Sequence, residues 1–184
     1  NSALVARPQI NEISNILSRT NAEGYTVFAH SMGGFLMMEA VKDQIARGRF
    51  NSGNRLRNII LASPDIDIDL FRSQLDEIKV GKDFLFVLIS EDDSALRTSK
   101  RIAGGVPRVG ATDANQLAEL GVVAIDLSQV DDSASGSHSK FAGSPEVVQL
   151  IGRGLNNAGT FKRHVGTNRL DEFLAGVPIT IAFE

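Results

Sequence analysis

Four short apolar runs constrain this chain most: Tyr25 to Ala29, Arg57 to Ala62, Phe84 to Ile89 and Val122 to Leu127. Helix-like stretches alternate with them, at 33–46, 70–78, 95–102, 114–120 and 145–155. The runs show no polar alternation, so they are strands buried on both faces. Strands of that kind belong to a parallel sheet covered by helices. The predicted fold is therefore α/β, a mostly parallel sheet with helices on both faces. An amphipathic helix over 8–20 precedes the first run, with Pro8 in its first turn and Ile10, Ile13, Ile16 and Leu17 on one face. Gly104, Gly105, Pro107 and Gly110 mark a loop, and the small polar residues of 131–139 mark another. Beyond Asn156 the pattern weakens. Residues 156–184 read as a less regular tail, in which Val177 to Phe183 is either a last strand or irregular. No repeat or linker divides the 184 residues, so they read as a single domain.

Composition narrows the function. With 19 Lys and Arg against 22 Asp and Glu, the net charge is -3, so no basic surplus holds nucleic acid. Cysteine is absent, which excludes disulfides, thiolate chemistry and Cys-based zinc sites. No apolar run approaches the roughly 18 residues of a membrane span. Nothing calls for a cofactor, and nothing selects a compartment.

The chemistry starts at Ala29-His30-Ser31-Met32-Gly33. In a parallel sheet, ligands gather at the carboxyl ends of strands, and Ser31 lies just past such an end, just before a helix. A sharp strand-to-helix turn there requires small neighbours, which Ala29 and Gly33 supply. It pushes the serine hydroxyl outward and sets the Met32 N–H where an oxyanion would form, at the positive end of the helix dipole. The competing reading is a serine that only caps the helix. His30 reads as a packing or substrate-contacting residue rather than a base, because the turn directs it away.

A serine nucleophile needs a base, and the base needs an orienting acid. The histidines are His30, His138 and His164. His138 sits in a loop beyond the fourth strand, where the base belongs; His164 has no strand before it. The competing reading of His138 is a plain surface histidine. For the acid, Glu91, Asp92 and Asp93 follow the third strand, and Asp65 and Asp67 follow the second. Either cluster also supplies a helix cap, near Ser94 or near Leu70. The alternating aspartates lack the loop and the histidine of a metal site, so no metal is expected.

Ala-His-Ser-Met-Gly, Ala-Ser-Pro-Asp-Ile-Asp-Ile-Asp-Leu-Phe, Ser-Glu-Asp-Asp-Ser-Ala-Leu and His-Ser-Lys-Phe, in that order, resemble successive blocks of the α/β-hydrolase superfamily. Within it the chain is similar to a bacterial family of α/β-hydrolases of unknown function, over about residues 1–152. The resemblance implies a hydrolase whose acid is Asp93 and whose base is His138. It also implies that Asp65 and Asp67 shape the site. Lys140 departs from the pattern, which carries an aromatic there.

In the full fold of that superfamily the nucleophile follows the fifth strand, and a second oxyanion donor comes from the loop after the third. Strand-helix units of about 30 residues each should then precede Ser31. The expectation is a carboxyl-terminal part of a larger hydrolase, with any targeting signal lying upstream. Such a part would be nearly inactive alone, since losing one oxyanion donor costs about 10²–10³ in turnover. Its exposed sheet edge would pair with another copy or with the N-terminal part. The leading expected activity is ester hydrolysis through an acyl-enzyme on a small-molecule ester or acyl substrate. The alternatives are an acyltransferase and a non-enzymatic binding module on the same scaffold.

Overall fold

The computed structural model describes residues 2–78, 84–131, 137–156 and 178–182. His164, the middle of the 131–139 loop and both ends of the 177–183 segment lie outside the described residues. The elements run α1 (Ser2–Val5), α2 (Arg7–Ser18), β1 (Tyr25–His30), α3 (Met32–Ala46), β2 (Leu56–Ala62), α4 (Ile68–Glu77) and β3 (Leu85–Ile89). There follow α5 (Ser94–Ile102), a 3-10 turn (Val109–Ala111), α6 (Ala114–Ala118), β4 (Val123–Asp126), α7 (Lys140–Gly143), α8 (Pro145–Asn156) and β5 (Thr180–Ala182). The elements that periodicity did not predict are α1, α7 and the 3-10 turn. Each is four residues or fewer, too short to show a repeat.

The sheet order is β1-β2-β3-β4-β5. The first four strands pair in parallel, and β5 closes the far side antiparallel to β4. Successive side chains of a strand point to opposite faces, and here both faces are apolar. Ile59, Leu61, Leu85, Val87, Ile89 and Ala124 pack with Met38 and Val41 of α3, Phe71 and Leu75 of α4, and Leu117 of α6. Ile60, Ala62, Phe86, Leu88 and Ile125 pack on the other face with Val147 of α8 and the rings and side chains of Phe141 and Ile151. Each parallel strand lies next to its predecessor, so right-handed crossovers place α3, α4 and α6 on one face. Burying a Leu, Ile or Phe side chain stabilises by about 1.5–3 kcal/mol, so these two layers make a firm frame for the polar loops at its end.

Those loops are tied together at Gly110. Its N–H donates to Pro64 O at 3.0 Å, and its carbonyl accepts from Ser90 N at 2.9 Å. A Cβ there would lie 2.6 Å from the backbone carbon of Ser63 and 2.7 Å from Pro64 N. Only glycine lets the loop of the 3-10 turn come this close to the segment after β2, and it thereby links the ends of β2 and β3.

Candidate active site

Parallel pairing sets the carboxyl ends of β1 to β4 side by side, and the polar residues just beyond them form one cluster. Ser31 stands between β1 and α3 with φ 54° and ψ -125°, a backbone state that costs a non-glycine residue on the order of 1–3 kcal/mol. It is held there from both sides. Its N–H donates to Ala62 O at 2.9 Å, and its carbonyl accepts from Gly34 N at 2.9 Å and Asp65 N at 3.3 Å. Ser31 occupies the N-cap position of α3, yet its side chain makes no capping hydrogen bond. The hydroxyl is therefore not used to end the helix. The Met32 N–H belongs to the first turn of α3, where helical N–H groups have no intrahelical partner.

The small residues work differently from the expected pattern. A Cβ on Gly33 would meet nothing within 4 Å among the described residues, whereas one on Gly34 would lie 3.0 Å from Pro64 Cβ. The tight approach is between the first turn of α3 and the loop after β2, one residue later than the sequence suggests.

Asp93 and His138 meet. Asp93 is fully buried and caps α5, its Oδ1 accepting from Leu96 N at 2.9 Å. Its Oδ2 lies 2.7 Å from His138 Nδ1. A ring whose Nδ1–H donates to a carboxylate presents Nε2 as an unprotonated acceptor. His138 is also held by its backbone, because His30 Nε2–H donates to His138 O at 3.2 Å. The two imidazole rings lie 4.7 Å apart, and Phe141 packs on His30 at 5.0 Å. His30 thus packs against His138, as a residue held in place by its ring and its Nε2–H. Alternation along β1 sends it to the face of α7. Burial, the largest influence, lowers its pKa below 6.5; the bond to the His138 carbonyl and the Asp93 charge oppose this, and the His138 charge adds to it. A neutral His30 puts no positive charge against His138. Among the described residues, His138 makes its hydrogen bonds to Asp93 and His30 and none to Ser31.

The neighbouring carboxylate has a different task. Asp92 accepts from Ser90 Oγ, from Ser137 Oγ at 2.7 Å and from Lys140 Nζ at 2.9 Å on each oxygen. Burial of its inner side alone would raise its pKa, but the bonds from Ser90, Lys140 and Ser137 and the Lys140 charge outweigh it and hold the carboxyl at about 2. The folded value lies below the ordinary 3.8, so this stabilisation is fully present above 3.8 and is lost as pH falls through about 2. An NMR titration of the Asp92 side-chain carbon is expected to show a midpoint near 2; a midpoint near 4 would mean that the network does not form.

The other candidate acids are engaged elsewhere. Asp67 caps α4, accepting from Asp69 N at 2.9 Å and Leu70 N at 3.2 Å. Asp65 accepts from Ser99 Oγ at 2.8 and 2.9 Å and faces Arg108 Nε at 3.4 Å. Only its backbone N–H reaches Ser31. Glu91 is exposed, and its N–H donates to Ser128 Oγ at 3.0 Å. Among the described residues no group of three or more His, Cys, Asp or Glu side chains could hold a metal ion, and no helix is long and apolar enough to cross a membrane.

The chain matches, over residues 1–154, the model of a family described as alpha/beta hydrolase of unknown function (DUF900). It belongs to that family. Comparison with curated proteins and with solved structures gave no match. Membership supports hydrolysis as the general class of activity, and the mostly parallel sheet flanked by helices agrees with an α/β hydrolase. Within this hydrolase, sequence reasoning overlooked the contacts of Lys140, Ser137 and His30 around His138. One signal was available: a lysine standing where the resembled pattern carries an aromatic ring calls for a nearby acid, and Asp92 is that acid.

Proposed function

We propose that this α/β hydrolase cleaves a carboxylic ester through an acyl-enzyme, with Ser31 as nucleophile, His138 as base and Asp93 as the orienting acid. The observation that carries the reading is the 2.7 Å contact between Asp93 Oδ2 and His138 Nδ1 at the end of the sheet where Ser31 sits at positive φ. The missing Ser31–His138 hydrogen bond does not count against it, because such bonds are often loose without substrate and tighten in the complex.

In this mechanism Ser31 Oγ attacks the ester carbonyl carbon while His138 Nε2 takes the hydroxyl proton. The carbonyl oxygen gains the negative charge and is met by the Met32 N–H at the start of α3. Asp93 keeps Nδ1 protonated and stabilises the imidazolium that forms. The tetrahedral species collapses, the C–O bond to the alcohol breaks, and His138 returns its proton to the leaving alkoxide. Water then attacks the acyl-Ser31 ester with His138 again as base, releasing the acid and restoring the serine. Asp65 and Asp67 support the wall of the site through the loop after β2, with Asp65 joined to Ser31 through its N–H.

The test is an acyl-transfer assay with a labelled activated ester, run with and without an alcohol or amine acceptor. Hydrolysis predicts labelled free acid at equal rates in both. Label appearing only on the acceptor would make the protein an acyltransferase. No acylation of the intact protein would make it a binding module.

A further inference from the structure

Lys140 is a lysine only 2% exposed, in a class of residue almost never fully buried unless paired. Its ammonium has three protons to donate and meets four acceptors. They are both oxygens of Asp92 at 2.9 Å, Ser128 O at 2.9 Å and Leu127 O at 3.3 Å. Two of these acceptors lie beyond β4, and Asp92 lies beyond β3. The same Asp92 carboxylate accepts from Ser137 Oγ at 2.7 Å. Ser137 and Lys140 flank His138 in the chain, one residue before it and two after. The turn that carries the imidazole is thus pinned on both sides to one carboxylate, and Ser137 is held at φ 68° in doing so.

We infer that Lys140 is a positioning residue that, through Asp92 and the carbonyls of Leu127 and Ser128, latches the His138 turn to the ends of β3 and β4. The adjacent aspartates divide the work: Asp93 fixes the imidazole ring, and Asp92 fixes the backbone from which it projects. The role in catalysis rests on the Ser31–His138–Asp93 reading; the latch itself rests on the contacts alone. A misplacement of about 1 Å in a catalytic group costs on the order of 10²-fold in rate, so a loosened turn should be visible in chemistry while the sheet stays folded.

The experiment compares the intact protein with Lys140→Met, Asp92→Asn and the double variant. Two readouts are taken: solvent exchange of the His138 Nδ1 proton by NMR, and the second-order rate of labelling by a fluorophosphonate. Far-UV circular dichroism checks the fold. Expected are an Nδ1 proton that exchanges at least about tenfold faster in each single variant and labelling slowed by about 10–100-fold. The double variant should lose little beyond either single one, because both remove the same contact. Asp92→Asn leaves the buried Lys140 ammonium without its counterion; should it fail to fold, Lys140→Met gives the same readouts, since it leaves unpaired only the Asp92 carboxylate, whose side chain is 49% exposed. Unchanged exchange and unchanged labelling in a folded variant would overturn the latch. Faster exchange in a protein that the probe never labels would uphold the latch and overturn the nucleophile.

Discussion

Ser31→Ala and His138→Ala are each expected to lower ester turnover by on the order of 10⁶-fold, and the double variant by no more than either alone. The reason is that in the proposed mechanism attack and proton transfer are one event. A serine without its base is a poor nucleophile, and a base without the serine has no proton to take. What survives either loss is the contribution of the oxyanion donor and of substrate binding, which neither substitution touches. The measurement is kcat on a p-nitrophenyl ester with the intact protein. Losses that add in the double variant would mean that the two side chains act in separate steps. The fold should tolerate both changes: the Ser31 hydroxyl makes no capping bond, and His138 lies on a partly exposed turn.

Asp93→Asn carries the second largest expected loss, about 10⁴-fold in kcat. The two oxygens of Asp93 make this substitution unusually selective. Oδ1 caps α5 at Leu96 N, and asparagine caps helices as well as aspartate does. At the Oδ2 position an amide can donate where the carboxylate accepted. His138 would then hold its proton on Nε2, the wrong nitrogen for a base, with no charge to stabilise the imidazolium. The loss should therefore fall on kcat with little change in thermal stability. Asp65→Asn and Asp67→Asn should cost less than about tenfold, because both side chains are bonded away from His138. A larger loss at Asp65 or Asp67 than at Asp93 would move the acid to the end of β2.

How much of this could be read from the chain follows from what each feature leaves in the sequence. Burial on both faces writes a strand as an unbroken apolar run, so β2 to β4 and the helices between them were legible nearly to the residue; β1 was legible by the same run, although at the end of the sheet order it is mostly only partly buried, with Phe28 exposed. The strand-to-helix turn at Ser31 was legible because its strand and its helix are contiguous. Which carboxylate faces His138 was not. Asp67 and Asp93 both follow a strand, both precede a helix and both cap it, and only the position of His138 in space separates them. Resemblance, not spacing, pointed to Asp93. Lys140 was legible only as a departure, since nothing local tells that its ammonium reaches a carboxylate 48 residues earlier. The three residues of β5 carry too little pattern to distinguish a strand from a tail.

The proposed mechanism depends on Ser31 being a nucleophile activated by His138. It is tested most directly by treating the intact, folded protein with a fluorophosphonate and mapping the adduct by peptide mass spectrometry. The expected result is a single adduct on Ser31, absent in Ser31→Ala and slowed by orders of magnitude in His138→Ala and Asp93→Asn. An adduct on a different serine, or labelling of Ser31 that proceeds as fast without His138 as with it, would contradict it.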